Sequence, residues 1–286
     1  MTEFQPIIVG IHGAPRSGTS WLGQLFNSNE HVAYRYQPFF AHSFRERVNS
    51  HTDSAGLQAF FTDLLESRDE FLLQTGEKKL ARSTPSFKKS NITHLVYKEV
   101  RFHHLLPHLL ESMPNMKAIG IVRDPRDVLA SWANAPREFD PMWSLEREWR
   151  HAERKNAGRE ENWYGFERWK ALARSLVELE KQWPDRCLLV RYEDLVKNPR
   201  DTLGLLFDFC GLASNEQVDD FIQDSTSRTD NEPYGVFRNH GEFGSTNGLD
   251  ECIADLIADE LRGTCLTRFV SARPLEGMGN GDVPIL

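Results

Sequence analysis

Short apolar runs at residues 7–11, 117–122 and 187–190 have the length and unbroken apolar character of strands buried on both faces, and weaker strand patterns cover 31–36 and 92–97. Between them apolar positions recur at helical spacing. Trp21, Leu22, Leu25 and Phe26 share one face of a helix predicted over Thr19–Asn27. Further helices are predicted over 56–67, 102–112, from Pro125 onward, 143–155, 163–183, 199–211, 215–223 and 250–262. Strands alternating with helices predict βα units, hence an α/β fold: a three-layer sandwich with a central parallel sheet flanked by helices. No repeat, low-complexity stretch or linker divides the chain, so residues 1–286 read as one domain. Two stretches are loop-like, 41–90 and 225–248, and both are expected to be solvated segments able to close over a site; residues 273–286 read as a frayed tail.

Composition narrows this picture. The 286 residues carry a net charge of −8, which argues against a nonspecific nucleic-acid binder and requires any anion site to be built from a few placed cations. The four cysteines, Cys187, Cys210, Cys252 and Cys265, lack metal-ligand spacing, and three lie in segments that read as core strand or helix. The N-terminus leads almost directly into the first strand without a basic-then-apolar signal, and no apolar run reaches about 18 residues, so a cytoplasmic location is the expectation.

The candidate chemistry begins where the first strand ends. In Gly13-Ala14-Pro15-Arg16-Ser17-Gly18-Thr19-Ser20 the two glycines stand as in a P-loop, G-x-x-x-x-G-K-[ST], but Thr19 occupies the lysine position and Arg16 is the loop's cation. A strand, a Gly-rich loop and a helix in succession aim backbone amides at a phosphate. The plainer reading is an ordinary β-α turn. Loss of the lysine that reaches the terminal phosphates of ATP or GTP leaves nucleotide binding intact more readily than NTP hydrolysis.

A second anion-ready element follows the strand at 117–122, which ends in Arg123-Asp124-Pro125-Arg126-Asp127. Where an ATPase would offer an aspartate for magnesium, the first polar residue here is Arg123; Ser131 lies two turns into the ensuing helix, and the two side chains are expected to share a phosphate. The competing reading is a helix-start ion pair between Arg123 and Asp127.

Other stretches carry weaker signals. Gln37-Pro38-Phe39-Phe40, just past a strand, suits substrate contacts or a core aromatic patch equally. His103, His104 and His108 invite a metal reading, but Pro107 intervenes and no Glu follows His104, so no metal is assigned. Arg238 and Asn239 lie in a polar loop that could close over a bound anion.

Three motifs together resemble the sulfotransferase family: Pro15-Arg16-Ser17-Gly18-Thr19-Ser20-Trp21-Leu22, Arg123-Asp124-Pro125-Arg126-Asp127 through Ser131, and Arg191-Tyr192-Glu193-Asp194-Leu195. The resemblance spans most of the chain and implies 3′-phosphoadenosine 5′-phosphosulfate (PAPS) as donor, 3′-phosphoadenosine 5′-phosphate (PAP) as product, and no metal. It further implies that Arg16, Ser17, Gly18, Thr19 and Ser20 hold the 5′-phosphosulfate, that Trp21 packs on the adenine, that Arg123 and Ser131 bind the 3′-phosphate, and that Tyr192 contacts the base. Arg238-Asn239-His240-Gly241 is loosely similar to the family's Arg-Lys-Gly clamp. Lys98-Glu99-Val100-Arg101 resembles the Lys-x-Val-Arg element of the carbohydrate-type branch, in which Lys98 would offset charge developing on the bridging oxygen. The acceptor is then expected to be a sugar or small metabolite.

One departure matters. Gln37 stands where many relatives place a glutamate that takes the acceptor's proton, and an amide cannot be a base. Glu99 is the first candidate for that role, followed by His42 and His103. Two rivals remain at this stage, a P-loop small-molecule kinase and a non-catalytic PAP-binding protein.

Overall fold

The computed structural model describes residues 6–75, 85–228, 235–236 and 249–271. Five strands, β1 (Ile7–His12), β2 (Val32–Tyr36), β3 (His94–Glu99), β4 (Met116–Val122) and β5 (Cys187–Arg191), form one sheet in the order β2-β3-β1-β4-β5. Every pairing is parallel. Such a sheet must be covered on both sides, and alternate residues of each strand supply the two covers. Val9, Ile11, Val96, Ile119 and Ile121 pack with Leu22 and Phe26 of α1 (Thr19–Asn27), Leu206 and Phe207 of α10 (Pro199–Cys210) and Phe221 of α11 (Glu216–Ser227). Ile8, Leu95, Tyr97 and Ala118 pack with residues of α2 (Ser54–Glu66), α4 (Leu106–Ser112), α5 (Pro125–Ala133), α8 (Phe166–Gln182) and α12 (Glu251–Leu261). The predicted layered α/β architecture is therefore the one observed.

Local signals set most boundaries. The Asp53 carboxylate caps α2, Asn215 caps α11 and Asp250 caps α12, each accepting from first-turn amides. Pro199 opens α10, and Gly211, at φ 75°, closes it with its own amide bonded back to the helix.

Several expectations are corrected. Residues 143–155 do not form one helix: α6 (Leu145–Glu148) and α7 (Glu153–Asn156) are separated by a break at Ala152, held at φ 48° while its amide still bonds to Glu148 O at 2.7 Å. The described part of 41–90 is not a solvated segment, because Phe44, Leu57, Phe60, Phe61 and Leu64 are buried in the core and α3 (Glu70–Leu73) follows; residues 76–84 lie outside the described residues. Residues 192–197 form a helix, α9 (Tyr192–Lys197), directly after β5. β3 starts two residues later than expected and runs through Glu99, so Lys98 and Glu99 are strand residues. Of the cysteines, Cys187 and Cys210 are buried, Cys252 and Cys265 are exposed, and all four are free. The tail at 273–286 lies outside the described residues. Among the described residues no helix is long and apolar enough to cross a membrane.

Candidate active site

The P-loop turns at the carboxyl end of β1, in the position the sheet order makes central. Two of its glycines are required by their surroundings. A Cβ on Gly13 would lie 2.6 Å from Ile121 O of β4, and one on Gly18 would lie 2.4 Å from the Tyr192 ring. Gly18 also sits at φ 87° as the residue before α1, a conformation that favours glycine. Arg16, not a glycine, is nonetheless held at φ 73°, and such strain in a loop persists only where its neighbours fix it. Leu22 N is the first amide to bond back to Gly18 O, at 3.1 Å, so the amides of residues 19–21 have no acceptor within the helix. Together with Ser17, whose Oγ is buried without a hydrogen-bond partner among the described residues, they form a cradle for an anion.

The second element converges on the same place. Asp124 caps α5 and takes both Nε and Nη2 of Arg126, at 3.0 and 2.6 Å, so Arg126 is committed to structure. Arg123 is deployed differently. Its Nη1 donates to Arg16 O at 3.1 Å, its guanidinium lies 4.6 Å from the Tyr192 ring centroid, and its buried Nε has no acceptor among the described residues. The helix-start ion pair to Asp127 is long, 4.0 Å. Ser131 accepts from Arg16 Nε at 3.1 Å. The structure thus brings Arg16, Ser17, Gly18, Arg123, Ser131 and Tyr192 together, with the cationic groups of two elements side by side. Trp21 is buried beside them, its indole N–H donating to Ser225 Oγ of α11 at 3.1 Å. Arg238 and Asn239 lie outside the described residues.

Lys98 stands one strand away. Only 2% exposed, it points its Nζ at the Tyr36 ring, 4.5 Å from the centroid. Burial lowers the ammonium to about 8, Glu99 and Glu138 oppose that fall, and Arg16 adds to it. Lys98 is therefore charged at neutral pH and within electrostatic reach of the P-loop arginine.

The expected bases are not at this place. Glu99 follows Lys98 in a strand and so points to the opposite face of the sheet. It is fully buried, with Oε1 accepting from the amides of Val100 and Arg101 at 3.1 Å each. Burial lifts its carboxyl to about 7 despite the opposing pull of Lys98. Its Oε2 is buried without a hydrogen-bond partner among the described residues, but on the face of the sheet away from the Lys98 ammonium. His103 is buried on the same side, ring to ring with His12 through Nδ1 atoms 3.1 Å apart, and burial holds it well below the ordinary histidine range. His42 is exposed, and its charge acts on Asp69. Gln37 is 7% exposed at φ 44°, its amide bonded to Lys98 O at 2.8 Å.

Sequence reasoning missed Glu138. It lies in the loop after α5, half-buried, and its carboxylate raises the proton affinity of Lys98, Tyr36, Lys155 and Tyr164 alike. No motif marks it, since it is placed by the fold of 134–140 and not by spacing from the P-loop.

A model described as the sulfotransferase family matches residues 6–216, which includes the P-loop, Lys98, Arg123, Ser131 and Tyr192. The chain belongs to the sulfotransferase family. Among curated relatives, human carbohydrate sulfotransferase 3 is 26% identical over 273 residues, covering 74% of this chain and 55% of that protein. Carbohydrate sulfotransferase 1 of Danio rerio is 26% identical over 270 residues, covering 74% and 64% respectively. The chain thus spans less than two thirds of the length of these relatives. Two solved sulfotransferase-like folds superpose on it: mouse sulfotransferase SULT7A1 complexed with PAP, at TM-score 0.56 and 16% identity over 93% of this chain and 88% of that one, and retinol dehydratase complexed with retinol and PAP, at TM-score 0.51 and 17% identity over 92% and 84%. These likenesses establish the fold of the family for this chain.

Proposed function

We propose that the chain is a PAPS-dependent sulfotransferase that moves a sulfuryl group to a hydroxyl of a carbohydrate acceptor. The observation that carries this reading is the convergence of Arg123 and Ser131 on the P-loop arginine, because two adjacent anion sites suit a nucleotide phosphorylated at both the 5′ and 3′ positions. Arg16, the amides of residues 19–21 and Ser17 Oγ would hold the 5′-phosphosulfate, and Arg123 with Ser131 the 3′-phosphate. Tyr192, stacked under Arg123, and Trp21 would border the adenosine.

Sulfuryl transfer is an in-line displacement whose transition state spreads negative charge over peripheral oxygens, and it is accelerated by positive groups already in place. Lys98, buried and still charged at neutral pH, supplies such a group to the bridging oxygen as the S–O bond lengthens. A kinase reading is disfavoured by Thr19 at the lysine position and Arg123 at the end of β4. The sugar class of acceptor rests on the named carbohydrate sulfotransferases and on Lys98-Glu99-Val100-Arg101. Four free thiols suit a reducing compartment.

The test is transfer of labelled sulfur from PAPS to a panel of neutral and acidic oligosaccharides. Sulfated product formed from PAPS, and no phosphorylated product formed from magnesium-ATP, is expected. Phosphorylation from ATP without sulfation would overturn the reading.

A further inference from the structure

Gln37 stands where the resemblance implies a glutamate base in many relatives, and of the alternatives offered by the sequence Glu99 and His103 are buried on the far side of the sheet and His42 is exposed and acts on Asp69. We propose that Glu138 is the proton acceptor of the transfer reaction, an assignment that rests on the reading just given.

The backbone at Glu138 is fixed from both sides. Its amide donates to Ala135 O at 2.8 Å and its carbonyl accepts from the Trp132 indole at 3.2 Å. Phe139 is 7% exposed, edge-on to both Trp132 and Trp143 with ring centroids 4.9 and 5.6 Å apart. The side chain held by this frame carries a buried oxygen, Oε2, that has no hydrogen-bond partner among the described residues. Leaving a carboxyl oxygen buried and unmatched is unfavourable, and in a rigid frame it marks a place where a donor from outside completes the pairing.

The groups around it say which donor. Tyr36 and Lys98 share a register position at the adjoining ends of β2 and β3, with the ammonium over the ring. Lys155 lies 5.0 Å from the Tyr164 centroid, and Tyr164 in turn packs 5.5 Å from Trp132. The Glu138 carboxylate is the negative group common to Tyr36, Lys98, Lys155 and Tyr164, while Arg101 acts on all four and Arg16 on Lys98 and Tyr164. Glu138 therefore lies within electrostatic reach of the strand-end lysine and of Tyr36 and Tyr164, and the P-loop arginine also acts on the lysine and on Tyr164, a polar surrounding that suits a hydroxyl-rich acceptor.

The step balances as follows. The acceptor oxygen forms a new bond to sulfur while the bond from sulfur to the bridging phosphate oxygen breaks; the acceptor's proton passes to Glu138 Oε2, and PAP departs with the electron pair of the broken bond. Lys98 lies opposite in charge to Glu138, stabilising the leaving oxygen at one end of the displacement while the carboxylate deprotonates the nucleophile at the other.

The test compares wild type, Glu138→Gln and Glu99→Gln with labelled PAPS and a mixture of neutral oligosaccharides. Sulfated sugar and free sulfate are both counted, since water is also an acceptor that must lose a proton. PAP binding by calorimetry is run in parallel. Glu138→Gln is expected to bind PAP as wild type does and to lose transfer by about a hundredfold or more even well below the Lys98 midpoint of about 8, where that lysine keeps its charge. Glu99→Gln is expected to retain transfer well below pH 8 and to move the alkaline midpoint down, because the carboxylate that opposes the fall of the Lys98 ammonium is gone. Wild-type-like transfer by Glu138→Gln with PAP bound would overturn this role alone; failure of the wild type to bind PAP would overturn the donor reading and this role with it.

Discussion

Lys98 and Arg123 divide the work between chemistry and binding, and their variants are expected to separate those two effects. Lys98 is buried and its ammonium is lowered to about 8, so it carries its charge below that pH and loses it above. Turnover is expected to fall on the alkaline side with an apparent midpoint near 8, and Lys98→Ala to lower turnover about a hundredfold with PAP affinity little changed; steady-state kinetics across pH 6–10 checks both. Arg123→Ala is expected to act in the opposite sense, weakening PAP by about 1.5–3 kcal/mol through loss of a charge-assisted contact, as read by calorimetry. Both residues were legible in the sequence because each stands at the end of a run that reads as a strand, Arg123 after the clear one at 117–122 and Lys98 after the weaker one at 92–97. Glu138 was not, because the role proposed for it depends on the fold bringing the loop after α5 within electrostatic reach of Tyr36 and Lys98, which no periodicity records. Glu99 misled for the complementary reason: adjacency to Lys98 in sequence means opposite faces in a strand.

Among the elements, the P-loop shows how closely the sequence was tied to geometry. Gly18 is the residue before α1 at φ 87°, and a methyl there would meet the Tyr192 ring at 2.4 Å. Gly18→Ala is expected to lower thermal stability by about 1–3 kcal/mol and to abolish detectable PAP binding, since both the turn and the Arg123-bearing ring beneath it must move; a melting curve and a titration check this. The spans of α1 and β5 match expectation because the pattern of apolar positions is unambiguous in both. The break between α6 and α7 was illegible. Its left-handed residue is Ala152, which carries no turn signal, and the conformation is imposed by packing: Ala152 is fully buried and Gly165 passes so close that a Cβ there would lie 3.0 Å from Ala152 N.

For the molecule as a whole, the parallel sheet buries polar groups beneath the P-loop, and this makes stability depend on pH. His12 Nε2 meets Tyr97 Oη at 3.2 Å, His12 meets His103, and Glu99 lies at the His12 register position on the neighbouring strand. Burial raises the Glu99 carboxyl from 4.5 to about 7, so its neutral form is the one the fold favours. Its stabilising contribution is therefore complete below pH 4.5 and is lost as pH rises through about 7. Glu99→Gln is expected to match wild type in denaturant midpoint at pH 4.5 and to exceed it at pH 8, with transfer retained well below pH 8. The layered α/β architecture was readable from strand runs and helix faces; this buried network was not, because it joins residues from β1, β3 and the turn at His103–Leu105 that only the sheet order brings together.

The most direct measurement is calorimetric titration of the wild-type chain with PAP and with AMP, which differ only in the 3′-phosphate. The account predicts that PAP binds at least about tenfold more tightly and that Arg123→Ala erases the difference. Equal affinity for the two nucleotides, or a preference for PAP that survives Arg123→Ala, would contradict it.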